Sequence, residues 1–474
     1  MATASDNWLT SAPAERGDRR LAAWEPEDLG FWQRTGARVA RRNLIFSVLS
    51  EHIGFSVWSL WSVLVLFLTP AYGISHDPRT AAAEKFLLTT LPTVTGAVLR
   101  IPYTLAVARL GGRTWTCASA ALLLVPALAG AIVLTPGVSY GTLLLVAALA
   151  GVGGGNFASS MANINSFYPQ RLKGRALGLN AGGGNVGVAV AQLAGLAVLA
   201  TAGKAHPRVL LGIYLPLIVI AALCSALFMD NLAGVRNARH AMRDASRNAH
   251  TWIISALYVA TFGSFIGFSF AFGQVLADQF GTHFLTAGKV DPVKIACLTF
   301  LGPLVGSVAR PAGGWLADRF GGARTTFWNF AFMTVAGAVV LAASAQRSLV
   351  LFGAGFIALF ALSGLGNGST YKMIPAVFRS RQQRQVAAGG DAERAALDAG
   401  RLSGAVIGIA GGVGALGGAV VNLAFRQSFL AYGTGLPAYM GFTAGYVICM
   451  AVTWLVYLRP GAADRPDDQS QRKE

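Results

Sequence analysis

GAVLRIPYTLAVARLGG, residues 96–112, and GSVARPAGGWLADRFGG, residues 306–322, are the stretches on which the reading of this chain turns. At a constant offset, Gly96, Arg100, Arg109, Gly111 and Gly112 fall on Gly306, Arg310, Arg319, Gly321 and Gly322. Each stretch sets one arginine inside an apolar run and ends on paired glycines. The relation recurs further along. Gly155-Asn156 falls on Gly366-Asn367, and Gly178, Gly182, Gly184 and Gly187 fall on Gly408, Gly412, Gly414 and Gly417. Three agreeing pairs of segments make coincidence a poor explanation, so the chain is read as two related halves.

Composition says what the halves are made of. Of 474 residues, 54% are hydrophobic and 12% charged, with a mean hydropathy of +0.52. A soluble globular chain carries about 25% charged residues, which excludes a disordered protein, a coiled coil and an ordinary soluble enzyme. Twelve runs reach the ~20 apolar residues a membrane helix needs. They lie at 44–69, 84–108, 115–134, 140–165, 176–201, 209–229, 251–278, 295–317, 325–345, 349–375, 402–425 and 435–458. The expected organisation is an N-terminal tail (1–43), a six-helix half (44–229), a linker (230–250), a second six-helix half (251–458) and a C-terminal tail (459–474). A polar insert at 379–401, read as a solvated connector, accounts for the larger offset of the last glycine set. Two six-helix halves related by an internal repeat are the architecture of a major facilitator transporter. The fold class is therefore an all-α integral membrane protein with twelve transmembrane helices.

The net charge of +17 does not point to nucleic acid. Its Lys and Arg residues form short clusters between apolar runs, and most of the 38 fall on the side that an even helix count gives to both termini. By the positive-inside rule that side is cytoplasmic. Cys117, Cys224, Cys297 and Cys449 all sit in apolar runs without metal-ligand spacing, and the six histidines are scattered. No metal or other cofactor is expected. No signal-peptide pattern opens the chain.

Arg100 and Arg310 carry the chemistry. A charge at mid-membrane costs about 2.5–3.5 kcal/mol on insertion scales and faces a cavity or a partner. A structural ion pair needs an acid at that depth, and the spans offer one, Glu51. Two arginines against at most one acid otherwise leave a positive cavity between the halves. The planar guanidinium fork suits small, planar oxyanions. Phe157, Tyr258 and Phe262 are placed to flank such an anion, although taken singly each also reads as core packing. Small residues let helices approach and slide, so the eight glycines named above read as gating elements beside the site or as static packing. Asn185 has Ala415 as its counterpart, and Asn180 has Ala410, which suggests that Asn185 contacts the ligand or an arginine. Glu51 and His52 are adjacent titratable residues in an apolar span and thus candidates for proton coupling. The motif Gly314-x-x-x-Asp318-Arg319-x-Gly321 is read as a loop latch after the eighth span.

These residues carry a family resemblance. The chain resembles the nitrate/nitrite porters (NarK type) of the major facilitator superfamily along nearly its whole length. The similarity runs from WEPEDLGFW (24–32) and ARRNL (40–44) through NFASSMANI (156–164), RALGLNAGGGNVGV (175–188), YVATFGSFIGFS (258–269) and LGPLVGSVARPAGG (301–314). The resemblance implies nitrate held between Arg100 and Arg310, with contacts from Phe157, Tyr258, Phe262 and Asn185. Gly411 departs from the family pattern, which has serine there. The expectation is an exchanger of nitrate for nitrite in the bacterial inner membrane, both termini cytoplasmic, functional as a monomer. Its alternatives are a nitrate/proton symporter using Glu51 and His52, and a uniporter for another small oxyanion. An integral membrane enzyme lacks a metal or nucleophile constellation, and a sensor lacks an output domain.

Overall fold

Local signals that open and close helices recur in both halves, and they fix where the site-bearing segments begin. The computed structural model describes residues 19–233 and 238–459. Asp77 accepts from Thr80 N (2.9 Å) with Pro78 next to it, and Asp291 accepts from Val293 N (2.9 Å) with Pro292 next to it. An Asp N-cap followed by Pro satisfies one orphan donor and removes another. The helices so opened both end on a glycine with left-handed φ, Gly111 (89°) and Gly321 (88°), a conformation other residues enter at a cost.

Twelve membrane-length helices follow, among the described residues: α1 (Leu29–Leu64), α2 (Pro78–Leu110), α3 (Gly112–Val133), α4 (Tyr140–Phe167), α5 (Gln170–Thr201), α6 (Pro207–Phe228), α7 (Ala249–His283), α8 (Pro292–Phe320), α9 (Gly322–Ala345), α10 (Leu349–Ala387), α11 (Ala392–Tyr432) and α12 (Leu436–Leu458). α1, α4, α7 and α11 are mostly buried, whereas α3, α6 and α12 turn most of their surface outward. Outward-facing Ile132, Val308, Trp328 and Val350 are apolar and exposed, while Asn43, Ser56, Asn180, Gln192 and Asn367 are buried. Apolar outside and polar inside is the arrangement a bilayer selects. The twelve-helix membrane fold thus agrees with the reading of the sequence.

The boundaries differ from the predicted spans for one reason: apolarity reports immersion in lipid, not helicity. α1 starts at Leu29, where Asp28 caps Phe31 N (2.9 Å), so residues 29–43 of the expected tail are helical. Residues 1–18 and 460–474 of the two expected tails lie outside the described residues. The 379–401 connector is mostly helix. α10 continues to Ala387 and α11 begins at Ala392, so only residues 388–391 turn between them. The latch motif is likewise helical, since Gly314, Asp318 and Arg319 belong to α8. Lys372 Nζ of α10 donates to Asp318 Oδ1 at 2.7 Å.

Two short strand pairs also interrupt the all-helical reading. β1 (Arg20–Leu21) pairs in parallel with β2 (Asn231–Leu232), the first part of the linker. This strap is held down at several points. Trp24 Nε1 donates to Phe167 O (3.2 Å), Glu27 accepts from Gln170 N (2.8 Å), and Asp230 takes both Arg42 (2.6 Å) and Asn43 (2.8 Å). A second pair, Leu285–Thr286 with Lys289–Val290, forms the α7–α8 hairpin. The linker also contains a short helix, Ala238–Ser246, whose Asp244 pairs with Arg401 of α11 at 2.7 Å.

Candidate functional site

Arg100 on α2 and Arg310 on α8 are both buried, 0% and 4% exposed. Each guanidinium lies against the same two rings. Arg100 Cζ is 4.6 Å from the Phe157 centroid and 5.0 Å from that of Phe262, and Arg310 Cζ is 5.5 Å and 5.9 Å from them. Those rings come from opposite halves, α4 and α7, and stack at 5.7 Å and 26°. Tyr258 stacks on Phe262 at 5.1 Å and 3°, and its hydroxyl accepts from Arg310 Nη2 (3.2 Å).

The local helix geometry produces this stack. α7 takes a π-turn at Val259–Gly263, which starts just after Tyr258 and contains Phe262. Such turns concentrate at functional sites because they re-aim side chains without ending the helix. Gly263 leaves room for it: a Cβ there would stand 2.6 Å from Gly417 Cα of α11.

The hydrogen bonds of the arginines are incomplete. Arg100 donates from Nε to Gly154 O (3.2 Å) and from Nη1 to Gly411 O (2.5 Å), which ties α2 to α11 across the halves. Among the described residues its buried Nη2 has no hydrogen-bond partner, nor has Arg310 Nη1. Buried guanidinium nitrogens are strong donors and costly to leave unmade. Cation–ring contacts of about 0.5–2 kcal/mol offset only part of that. Each of these nitrogens can donate to an acceptor supplied from outside the described residues.

Of the predicted residues, the structure brings together Arg100, Arg310, Phe157, Tyr258 and Phe262. Asn185 is fully buried, but its side-chain atoms have no hydrogen-bond partner among the described residues. Glu51 is buried just behind the site. Ser160 Oγ and Asn180 Nδ2 (2.6 Å) both donate to its Oε2, Oε1 has no hydrogen-bond partner among the described residues, and both arginines lie within electrostatic reach. His52 points elsewhere, its Nδ1 against Gly183 O (3.1 Å). The two neighbouring side chains therefore turn to different partners.

Two residues of the site escaped the sequence reading. Tyr371 lies 4.7 Å from Tyr258 and under Arg310 at 5.6 Å, and Trp58 lies 5.7 Å from Arg100. The signal for Tyr371 was its spacing, four positions after Asn367 and so on the same helix face. Gly411 lines the site too: a side chain there would meet Tyr371 Oη at 3.0 Å and Arg100 Nη1 at 3.7 Å.

The eight signature glycines divide into two kinds. A Cβ at Gly184 would stand 2.4 Å from Glu51 Oε1, at Gly187 2.2 Å from His52 O, at Gly414 2.3 Å from Tyr258 and at Gly417 2.7 Å from Val259 O. These four knit α5 to α1 and α11 to α7, within each half. The other four have room. Gly182 faces Pro311 at 4.0 Å, Gly412 faces Ala97 O at 3.7 Å, Gly408 faces Met242 at 3.6 Å, and Gly178 has nothing within 4 Å. Gly182 and Gly412 look across to the opposite half, as does Gly408, which also has Thr104 of α2 at 3.9 Å.

The far end is closed more tightly. There Phe86 stacks on Phe425 (5.8 Å) and Phe429 (5.4 Å), and Thr89 donates to Asn422 Oδ1 (2.8 Å). Trp58 meets Phe270 (5.4 Å), and Gln192 donates to Ser269 O (2.8 Å).

Two related bundles meeting on a buried cationic seam, packed at one end and looser at the other, have the architecture of a membrane transporter. The Major Facilitator Superfamily profile matches residues 52–421. The "Nitrate/nitrite transporter NarU" of Escherichia coli (strain K12) is 37% identical over 93% of this chain and 96% of its own length. The "Probable nitrate/nitrite antiporter NarK2" of Thermus thermophilus is 32% identical over 93% and 97%. Among solved structures, a D-xylose–proton symporter aligns with a TM-score of 0.66 at 12% identity, covering 88% of this chain and 97% of that one, which shows the shared fold. The chain belongs to the major facilitator superfamily, in its nitrate/nitrite porter (NarK-type) family.

Proposed function

We propose that the chain exchanges nitrate for nitrite by alternating access across the bacterial inner membrane, as a monomer with both termini cytoplasmic. The observation that carries this reading is the pair of buried nitrogens without a hydrogen-bond partner among the described residues, Arg100 Nη2 and Arg310 Nη1, on guanidinia packed against one shared pair of rings. A small planar anion accepts from one arginine of each half and lies between aromatic faces. The names of the relatives support nitrate and nitrite as that anion. Because the anion joins α2 to α8, it holds the two halves together at the seam. Without it, two cations face each other in a low-dielectric site, where repulsion is strong. The empty carrier then resists closing, and return requires a second anion. Obligatory exchange follows from that barrier.

One observation favours a second reading. Glu51 is a buried carboxyl, one oxygen of which has no hydrogen-bond partner among the described residues, within electrostatic reach of both arginines. A proton taken up there would make the cycle nitrate/proton symport. Uptake of nitrate into liposomes separates the readings, with the interior empty, loaded with nitrite, or empty under an inward proton gradient. Exchange requires internal nitrite and survives Glu51→Gln. Uptake driven by the proton gradient alone, and lost in Glu51→Gln, establishes symport. Uptake into empty vesicles without a gradient establishes uniport and overturns the barrier argument.

A further inference from the structure

A second cationic feature lies well away from the arginine pair. A cavity of about 490 Å³ opens where the linker enters α7 and α10 leaves the bundle, lined by Asp244, Arg247, Asn248, His250, Val377, Phe378, Arg381 and Arg384. Arg247 and Arg381 lie on opposite walls, and the one carboxylate among the described lining residues, Asp244, is already bonded to Arg401 at 2.7 Å. The floor is apolar, because Val377 and Phe378 are buried. Val377, Arg381 and Arg384 are spaced i, i+4, i+7, so the stalk of α10 offers one continuous face to the cavity. Opposite it, Asn248 caps the first turn of α7, accepting from His250 N (2.9 Å), so a helix N-terminus adds its partial positive charge.

Depth narrows the occupant. Trp252 is 52% exposed one turn into α7, and Trp454 of α12 is 47% exposed near the same end. Exposed tryptophans at helix ends mark the level of lipid headgroups. His250 Nδ1 lies 3.2 Å from Tyr457 Oη of α12, which places the cavity mouth among these aromatic residues. An apolar floor, a cationic rim and headgroup depth together suit an amphipathic anion.

We propose that this cavity is a binding site for a phosphate oxyanion, held chiefly by Arg247 and Arg381. Both the headgroup of an anionic phospholipid and a soluble phosphate present that chemistry. The site is independent of which anion the transporter carries. An occupant joins the linker to the stalk of α10 and stiffens the half that contains Arg310.

The test uses the full-length protein in nanodiscs of phosphatidylcholine alone, of phosphatidylcholine with phosphatidylglycerol, and of phosphatidylcholine with inorganic phosphate in the buffer. Thermal melting and mass spectrometry of retained lipid are read for wild type, Arg247→Gln/Arg381→Gln and a control of equal charge change, Arg34→Gln/Arg38→Gln. Size-exclusion elution and nitrate exchange report that each variant is folded, and Arg247→Lys/Arg381→Lys retains the charge if the glutamines fold poorly. Phosphatidylglycerol raises the melting temperature of wild type and control, and the glutamine pair retains it about 30-fold less, as expected for two basic residues at an anionic surface. A shift produced by inorganic phosphate in wild type but not in the glutamine pair assigns the site to a soluble source. Equal losses in the control, or no response to either phosphate source, overturn the proposal.

Discussion

The two halves share a scaffold and differ in what it carries. In the first, α5 presses Gly184 against Glu51 and Gly187 against the carbonyl of His52; in the second, α11 presses Gly414 against Tyr258 and Gly417 against the carbonyl of Val259. Contact for contact, Tyr258 stands where Glu51 stands. One half therefore holds a carboxyl behind the site, supported by Ser160 and Asn180. The other holds a phenol that accepts from Arg310, with Ala410 in place of Asn180. Duplication preserved the backbone approaches, which tolerate no side chain, and left the side chains between them free to diverge.

The largest expected effect tests whether the halves remain equal at the seam. Arg100→Gln and Arg310→Gln should each reduce nitrate exchange in proteoliposomes by about 30-fold or more, since losing one partner of a buried charge contact costs roughly 2–5 kcal/mol. Arg→Lys should rescue little, because the planar fork is lost. If one arginine proves dispensable, the two-sided site is wrong.

The glycines come next. Gly184→Ala and Gly414→Ala should each lower stability by about 1–3 kcal/mol through overpacking, read as thermal melting in detergent. Gly182→Ala and Gly412→Ala should leave melting unchanged or raise it, by up to about 1 kcal/mol in stability. They should nevertheless slow exchange if these positions must close against the opposite half. Equal melting shifts for all four would erase the distinction between knitting and facing glycines.

Glu51→Gln against Tyr258→Phe sharpens the divergence itself. Tyr258→Phe removes one hydrogen bond to a charged group, worth about 1.5–3 kcal/mol, and should weaken nitrate binding measured by competition with nitrite. Glu51→Gln should retain the hydrogen bonds from Ser160 and Asn180 and leave exchange intact.

The smallest effect concerns a feature the halves kept in common. Hydrogen bonds from the Thr80 side chain and backbone hold Asp77 below the usual carboxylate range, and the hydrogen bond from Thr286 does the same for Asp291. A depressed folded pKa contributes stability above the unfolded value and loses it as pH falls through the folded one. Asp77→Asn and Asp291→Asn should each flatten the acid limb of a melting-temperature–pH curve slightly and to a similar degree. A large or one-sided change would show that the caps do more than open α2 and α8.

How much of this was legible follows from what a sequence records. The repeat exposed the paired arginines because both the residue type and its spacing survived duplication. Phe157, Tyr258 and Phe262 stood out only through their motifs, and Tyr371 did not, since a lone aromatic in an apolar helix looks like core. The glycines were visible as a set, but spacing along one helix does not reveal which half each faces. Apolarity located the membrane and missed helices that leave it, so α1 and α10 run longer than their spans. The pairing of Arg20 with Asn231 joins segments more than two hundred positions apart and has no local signature.

The length of α10 has a mechanical meaning. Its 39 residues span about 58 Å at 1.5 Å per residue, roughly twice the ~30 Å hydrocarbon thickness. Pro375 cannot donate to the helical ladder and so makes a natural pivot just past Tyr371. Twelve residues beyond it, Ala387 is about 18 Å out along the arm, so a 10° tilt at the pivot moves the tip by roughly 3 Å. On the exchange reading, the α10–α11 hairpin tip would act as a lever arm that turns a small tilt at the pivot into a larger displacement outside the bundle. A pair of spin labels there and on the strap would read the state of the carrier without touching its site.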